Sequence, residues 1–455
     1  MKKFLALLLA LTMVMSLVAC GGSGDKETTK APAEGTGTTE APTEEDLSDY
    51  LVKEPVTITF WHQYSAAARA EWIANVTKEF NETNEWGITV NAEYYGAYQA
   101  IADTIAACVA DGGKGLPGLV TINVPRVVNF QNSGIVEPLD KYMKALGDYA
   151  NLDDYLDAAL DAVSVDGSLY GLPFGTSAGC IIYNKTVCDE NNLPIPQGWE
   201  EFKTWCKNIY EKTGKVAFSF TNDFNYMNNF YMNCTGIDPA GDGRKSQLDN
   251  EAFKTFVKDV KALCDAGYCV MWSSTDDQLA ALGAQTLVAY TNTTNNIVKA
   301  QAQAKDNGFE IDTMLGVTGT DKAPVSTISG AVLVSFAQLS QNEKAAAAAY
   351  MAYLTNAENN QKWVVDTQML PSHYSTIQSE GLKDLYVKYP GYKNVFEQAE
   401  NIISKNKTPN FQPAMEIFTE WVFSYVNGDI SDSDFDSSWE NMVEEVDEKL
   451  ESAFE

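Results

Sequence analysis

Three aromatic clusters interleaved with amide, hydroxyl and acidic side chains hold the chemistry this sequence offers. They are Trp61-His62-Gln63-Tyr64, Tyr94-Tyr95-Gly96-Ala97-Tyr98 and Asn222-Asp223-Phe224-Asn225-Tyr226. Flat rings can cover the apolar faces of a small polyhydroxylated solute, while amides, hydroxyls and a carboxylate satisfy its polar edges in fixed directions. Recognition of that kind rejects a deoxy analogue strongly, because a buried partner is left unpaired. Each ring also suits a core or hinge position, and spacing alone leaves both roles open.

Reaction chemistry is far less visible. The chain has no GxSxG elbow, HExxH, Walker loop or dinucleotide fingerprint. His62 and His373 are the only histidines, and neither has a nearby serine or cysteine in a recognised arrangement. With 62 aspartates and glutamates, carboxylate pairs arise by chance and carry no glycosidase signal. A binder without a cofactor, not an enzyme, is the expectation. Apart from Cys20, the cysteines are Cys108, Cys180, Cys188, Cys206, Cys234, Cys264 and Cys269, an odd set with no CxxC spacing. No metal site is expected from them or from a DxDxDG loop, which is absent. They suit small buried apolar positions, with disulfides left open. The formal charge of -30 excludes a nucleic-acid footprint and an anionic lipid surface.

The elements that must position the clusters alternate. Val56–Trp61 and Ile88–Tyr94 are rich in β-branched and aromatic residues and are predicted as strands, as is Leu119–Ile122. Between them, Trp72, Val76 and Phe80 recur at four-residue steps, so Ala66–Phe80 is predicted as a helix, and Tyr98–Val109 as a second. Strand–helix alternation means an α/β lobe, whose crevice lies beyond the carboxyl ends of its strands, where the clusters fall. Tyr170–Gly175 is predicted as a break and Gly179–Asn184 as a buried strand. Helices are predicted over Trp199–Lys212, Ser340–Leu354, Gln412–Asn427 and Trp439–Phe454. About 400 residues exceed one core, so two lobes are expected.

The chain begins with Lys2 and Lys3, then an apolar run from Phe4 to Val18, then Leu17-Val18-Ala19-Cys20. This looks like an export leader over residues 1–20 ending in a lipobox, with Cys20 as the lipid-bearing residue. Residues 21–53 are poor in apolar side chains and are expected to be a solvated tether, spanning on the order of 30 Å. A membrane partner through lipid on Cys20 follows.

Beyond the tether the chain resembles the family 1 extracellular solute-binding lipoproteins, the capture subunits of ABC-type carbohydrate importers. The resemblance rests on the order of Ile58-Thr59-Phe60-Trp61-His62, Phe80-Asn81-Glu82-Thr83-Asn84, Tyr94-Tyr95-Gly96-Ala97-Tyr98 and Gly134-Ile135-Val136-Glu137-Pro138-Leu139. Gly171-Leu172-Pro173-Phe174, Ile182-Tyr183-Asn184-Lys185, Trp199-Glu200-Glu201-Phe202, Ile328-Ser329-Gly330-Ala331 and Leu370-Pro371 follow. It implies an α/β, two-lobe periplasmic-binding-protein-like fold with a hinge and an interlobe ligand cleft. The expected lobes are 54–178 with 287–333, and 179–286 with 334–455. It also implies ligand-facing positions at Tyr98, Thr176 or Ser177, Thr291 to Thr293, and Gly330. The loop clusters add Trp61, His62, Tyr64, Asp223, Phe224 and Tyr226.

Glycerol-phosphate binders of the family have an acid near Asn123 or Val124 and a tyrosine near Met369, and this chain has neither. No tight Arg or Lys cluster marks the cleft. Arg69 and Arg126 are the nearest cations, with Arg69 expected on a solvated helix face. The implied ligand is a neutral mono- or oligosaccharide and the implied partner an ABC transporter permease. A monomer is expected, on the extracellular face of a bacterial cell membrane, with the Thr- and Glu-rich spacer suggesting a Gram-positive host. Glycerol phosphate, a polyamine, or a non-transport adhesin or sensor role are the alternatives.

Overall fold

The computed structural model describes residues 45–454. The expected leader, Cys20 and residues 21–44 of the expected tether lie outside them. The strands in chain order are β1 (Val56–His62), β2 (Ile88–Tyr94), β3 (Leu119–Asn123), β4 (Ser164–Val165), β5 (Ser168–Leu169) and β6 (Leu172–Asn184), followed by β7 (Val216–Thr221), β8 (Cys269–Trp272), β9 (Leu287–Thr293), β10 (Ile311–Met314), β11 (Ser326–Ser335) and β12 (Ile402–Ile403).

β1 pairs in parallel with β2 and β3, and helices Ala67–Thr83 and Tyr98–Ala110 form the crossovers, as the alternating pattern predicts. Trp72, Val76 and Phe80, the four-step residues, form the buried stripe of the first helix. β11 runs antiparallel to both β3 and β6. At the other end of the sheet β9 pairs in parallel with β7, and β7 with β8.

β6 joins these two halves. Its thirteen residues are all buried. Through Ala178 it pairs with β11, and from Gly179 it pairs with β9 instead. The expected break at Tyr170–Gly175 is therefore mostly strand. Gly175 pairs with Ala331 and Pro173 with Val332, leaving Phe174 as an extra residue between them. Such a bulge lets a strand carry Pro and Gly and re-aim one side chain. Here the Phe174 ring stacks on Trp363 at 4.6 Å.

Two apolar cores lie against the sheet. The first gathers Phe60, Phe80, Phe174, Tyr350 and Trp363, and the second Phe202, Phe218, Phe230, Phe418 and Trp439. Their composition departs from the expected lobe boundaries. Helix Gln341–Thr355 packs on the first core, with Tyr350 at 5.9 Å from Phe60 and 4.9 Å from Phe80. Its run Ala345–Ala349 is wholly buried, and such small side chains allow close approach to the sheet. β9, expected with the first lobe, hydrogen-bonds in the second half, and its residues divide: Leu287 and Tyr290 join the first core, Val288 and Ala289 the second. Helical periodicity says which face of a helix is apolar but not which sheet it covers.

The expected tether is shorter than residue 53. Ser48–Tyr50 form a 3₁₀ turn, Tyr50 meets Tyr142 edge-on at 5.0 Å, and the Lys53 amide donates to Asn342 Oδ1 at 2.8 Å. Tyr50 and Val52 supply enough apolar surface to dock.

Candidate functional site

Parallel register brings the loops after β1, β2 and β3 to one edge, with His62 paired to Tyr94 and Trp61 to Val120. Gln63 fastens them. Its Nε2 donates to Tyr98 Oη at 3.0 Å, and its Oε1 accepts from the Thr121 hydroxyl. Tyr98 opens helix Tyr98–Ala110 and is half-buried. Burial pushes its phenol pKa well up, against the pull of the Arg69 and Arg126 charges. Both guanidinium groups therefore lie within electrostatic reach of one hydroxyl.

Arg126 Nη1 donates to Asn123 Oδ1 at 2.5 Å and Nη2 to Gln99 Oε1 at 2.6 Å, while Gln99 in turn donates to Asp103. Arg69 lies over the Tyr64 ring, 5.8 Å from its centre, and its charge also reaches Tyr392. The expectation that Arg69 occupies a solvated helix face is corrected: it is half-buried and lies over the Tyr64 ring. A helical pattern shows only the repeat of apolar residues, and long basic side chains bend back over neighbouring rings.

The sequence-predicted rings divide into two kinds. Tyr64 is buried between Phe174 and Trp363, at 6.0 and 5.4 Å. Trp61 is buried, with its face stacked on Tyr95 at 3.9 Å and 14°. His62 is buried beside Phe60, and burial lowers its pKa to about 4, so it is neutral. Phe224 is 2 % exposed and meets Phe411 edge-on at 5.2 Å, which makes it part of the second core. Tyr98 and Tyr226 keep partly open positions.

The strands supply the polar floor. Thr176, Ser177, Thr291 and Thr293 are buried on β6 and β9, and Gly330 of β11 pairs with Thr176. Among the described residues, Thr176 Oγ1, His62 Nδ1 and Tyr290 Oη have no hydrogen-bond partner. The same holds for Nε1 of Trp205, Trp421 and Trp439 in the second core, so an unpartnered buried atom does not by itself mark a ligand position.

Asp223 lies on the other half, accepting from the Asn225 amide at 2.8 Å as the cap of helix Phe224–Thr235. Tyr226 follows it, its pKa pushed up to about 12 by burial and by the Asp223 charge. Buried polar side chains that sequence reasoning missed are Tyr290, Tyr392 and Lys405. Lys405 is 6 % exposed, and its Nζ donates to Asn225 Oδ1 at 2.6 Å. Burial lowers its pKa to about 8. It stands in the polar run Ser404-Lys405-Asn406-Lys407, which carries no signal of burial.

Residues 75–393 match the family model described as bacterial extracellular solute-binding protein. A Pyrococcus horikoshii protein named as an uncharacterized ABC transporter extracellular-binding protein is 26% identical over 220 residues, 48% of this chain and 46% of that one. A Brucella abortus putative binding protein is 28% identical over 142 residues, 31% of this chain and 32% of that one. The chain thus spans about half the length of the first relative and a third of the second. Among solved structures, the sugar-binding protein MalE from Xanthomonas citri aligns with a TM-score of 0.74 at 18% identity, covering 87% of this chain and 97% of that one. The cyclic alpha-maltosyl-1,6-maltose binding protein from Arthrobacter globiformis gives 0.73 at 17%, over 88% and 99%. UgpB from Mycobacterium tuberculosis, in complex with glycerophosphocholine, gives 0.72 at 21%, over 88% and 100%. At these identities the likeness shows the fold: α/β, two-lobed, with strands shared between halves.

Proposed function

Because this chain belongs to the bacterial extracellular solute-binding proteins, we propose that it captures a small carbohydrate outside the cell and delivers it to an ABC-type membrane permease. The observation that supports this reading is that Gln63 ties Tyr98 to Thr121 on β3, and that β11 links β3 to β6, where Gly330 pairs with Thr176. Two of the three solved neighbours described above bind sugars by name. Amides, hydroxyls and half-open tyrosines fit such a ligand.

The halves would pivot where β6 changes partner at Ala178–Gly179 and where β11 carries Gly330. Closure about shared strands traps a solute and gives the permease a distinct surface to read. Of the candidate contacts, Tyr98, Thr176, Ser177, Asp223, Tyr226, Thr291, Thr293 and Gly330 remain as ligand positions. Trp61, His62 and Tyr64 support them from behind. The family and the fold are those of binding proteins, and no reaction is proposed.

Lipid on Cys20 would hold a monomer at the outer face of the membrane, in keeping with a Gram-positive spacer, since two acyl chains anchor stably where one is marginal. A thermal-shift panel tests capture, because a ligand that binds only the native state raises the melting temperature. Glucose, maltose and other sugars are compared with spermidine. Stabilisation by a sugar supports the reading, and stabilisation by spermidine alone ends it.

A further inference from the structure

The chain has three arginines, and two of them stand beside the loops around Tyr98: Arg69 lies over the Tyr64 ring, and Arg126 donates to Gln99, the residue after Tyr98. Acidic groups outnumber basic ones by 62 to 32, so most cations find carboxylates with ease. Lys344 pairs with Glu137, Lys203 with Asp259 and Lys407 with Asp161. Arg69 and Arg126 do not: among the described residues neither has a carboxylate at ion-pair distance. Arg126 is held by the neutral amides of Asn123 and Gln99, and Arg69 has only the face of Tyr64. The third arginine, Arg244, is exposed and lies over Phe454 at 4.0 Å, away from this region.

A planar guanidinium with free donors is suited to bidentate contact with an oxyanion. Asp103 accepts from the same Gln99 amide and so stands one side chain away from Arg126, offsetting part of its charge, while Arg69 is half-buried with no carboxylate at ion-pair distance among the described residues.

We propose that the captured carbohydrate carries an oxyanion group, a carboxylate or a phosphate, which Arg69 and Arg126 hold beside the Tyr98 hydroxyl. The inference rests on the solute-capture reading and departs from the neutral ligand that the sequence pattern implies. Gln99 and Asn123 orient Arg126 without neutralising it, as positioning residues. Tyr98 donates or accepts at the group's edge, and Arg69 covers its other side.

The test is calorimetric titration of the full chain with glucose, glucuronate, galacturonate, glucose 6-phosphate and glycerol 3-phosphate. A uronate or sugar phosphate that binds while glucose does not supports the proposal, and the two arms tell carboxylate from phosphate. Arg69→Gln and Arg126→Gln should each weaken that ligand by about tenfold to a hundredfold, the effect of losing a charged hydrogen bond. Arg244→Gln, the exposed control, should not, and circular dichroism confirms that each variant is folded. Glucose binding as tightly as its acidic congeners overturns the oxyanion site and leaves sugar capture standing. Glycerol 3-phosphate binding alone leaves the oxyanion site standing and overturns the carbohydrate. Silence across the panel overturns both.

Discussion

The hydroxyl of Tyr64 occupies the space where a side chain at Gly175 would begin: a β-carbon built there lies 1.8 Å from it. Tyr64 belongs to the loop after β1 and Gly175 to β6, so this contact locks the loop carrying the site onto the strand that joins the halves. The ring has little room to retreat, because Phe174 and Trp363 flank it. Gly175→Ala should therefore cost about 1–3 kcal/mol by overpacking. Tyr64→Phe in the same chain should recover part of that loss, since it removes the offending oxygen, and urea midpoints of the two single variants and the double read the coupling. Independent, additive losses would show that the contact does not constrain the loop.

Gly330 is subject to a stricter limit. Its φ of +104° is a conformation open to glycine, and an added β-carbon would meet the Gly175 carbonyl oxygen at 2.4 Å. Gly330→Ala should lower stability by more than Gly175→Ala, because backbone has to move instead of a ring. A melting temperature equal to that of the parent chain would contradict this placement at the strand junction.

Phe224 and Tyr98 should respond differently to truncation. Phe224→Ala empties a site in the second core and should cost about 3–5 kcal/mol of stability. Tyr98→Phe keeps the ring and removes only the hydroxyl that Gln63 contacts, so it should change stability by about 1 kcal/mol or less while reducing ligand-induced thermal stabilisation. Denaturant midpoints and ligand thermal shifts for both variants check this. Equal stability losses would mean that Tyr98 is a core residue.

The difference between those two rings also shows what was legible in the sequence. Helix Ala67–Thr83 announces itself through Trp72, Val76 and Phe80, because the repeat that buries them is local. The partner that makes Phe224 core is Phe411, far along the chain, and no local pattern encodes that contact. Tyr170–Gly175 misleads for a related reason. Gly and Pro ordinarily break a strand, but here Gly175 admits Tyr64 and the bulge at Phe174 absorbs Pro173. The loop clusters were visible as aromatic runs beside strand ends. Which of their faces stay open depends on neighbours such as Tyr95, whose stacking on Trp61 the sequence does not reveal.

Stability should fall as the solution turns acidic from near neutrality. His62 and His373 are both buried, and burial lowers each pKa from 6.5 to about 4, although Asp154 pulls His373 the other way. In the unfolded chain they take up protons near 6.5, and in the folded chain only near 4. The unfolded state thus binds more protons within that window, and the histidines' contribution declines between about pH 6.5 and pH 4, then levels. Each histidine contributes up to about 3 kcal/mol. His62→Gln should flatten the loss of urea midpoint across this window relative to the parent, and an unchanged slope would show that His62 is not held neutral.

The opposite end of the pH scale tests Lys405. Its ammonium is buried with Asn225 as its hydrogen-bond partner, and burial lowers its pKa from 10.5 to about 8 against the pull of Asp223. A base with a depressed folded pKa destabilises the fold most below that pKa, and the penalty disappears as pH rises past its unfolded value. At pH 7 the penalty is at most about 3 kcal/mol. Lys405→Met keeps the stem's volume and removes the charge, at a cost of about 1 kcal/mol for the bond to Asn225. The variant should therefore be more stable than the parent by about 1–2 kcal/mol at pH 7, and no more stable at pH 10.5. Urea midpoints at both pH values decide the matter. If the methionine variant is weaker at pH 7, Asp223 and Asn225 stabilise the buried ammonium by more than its desolvation costs, and the charge is an asset to the fold.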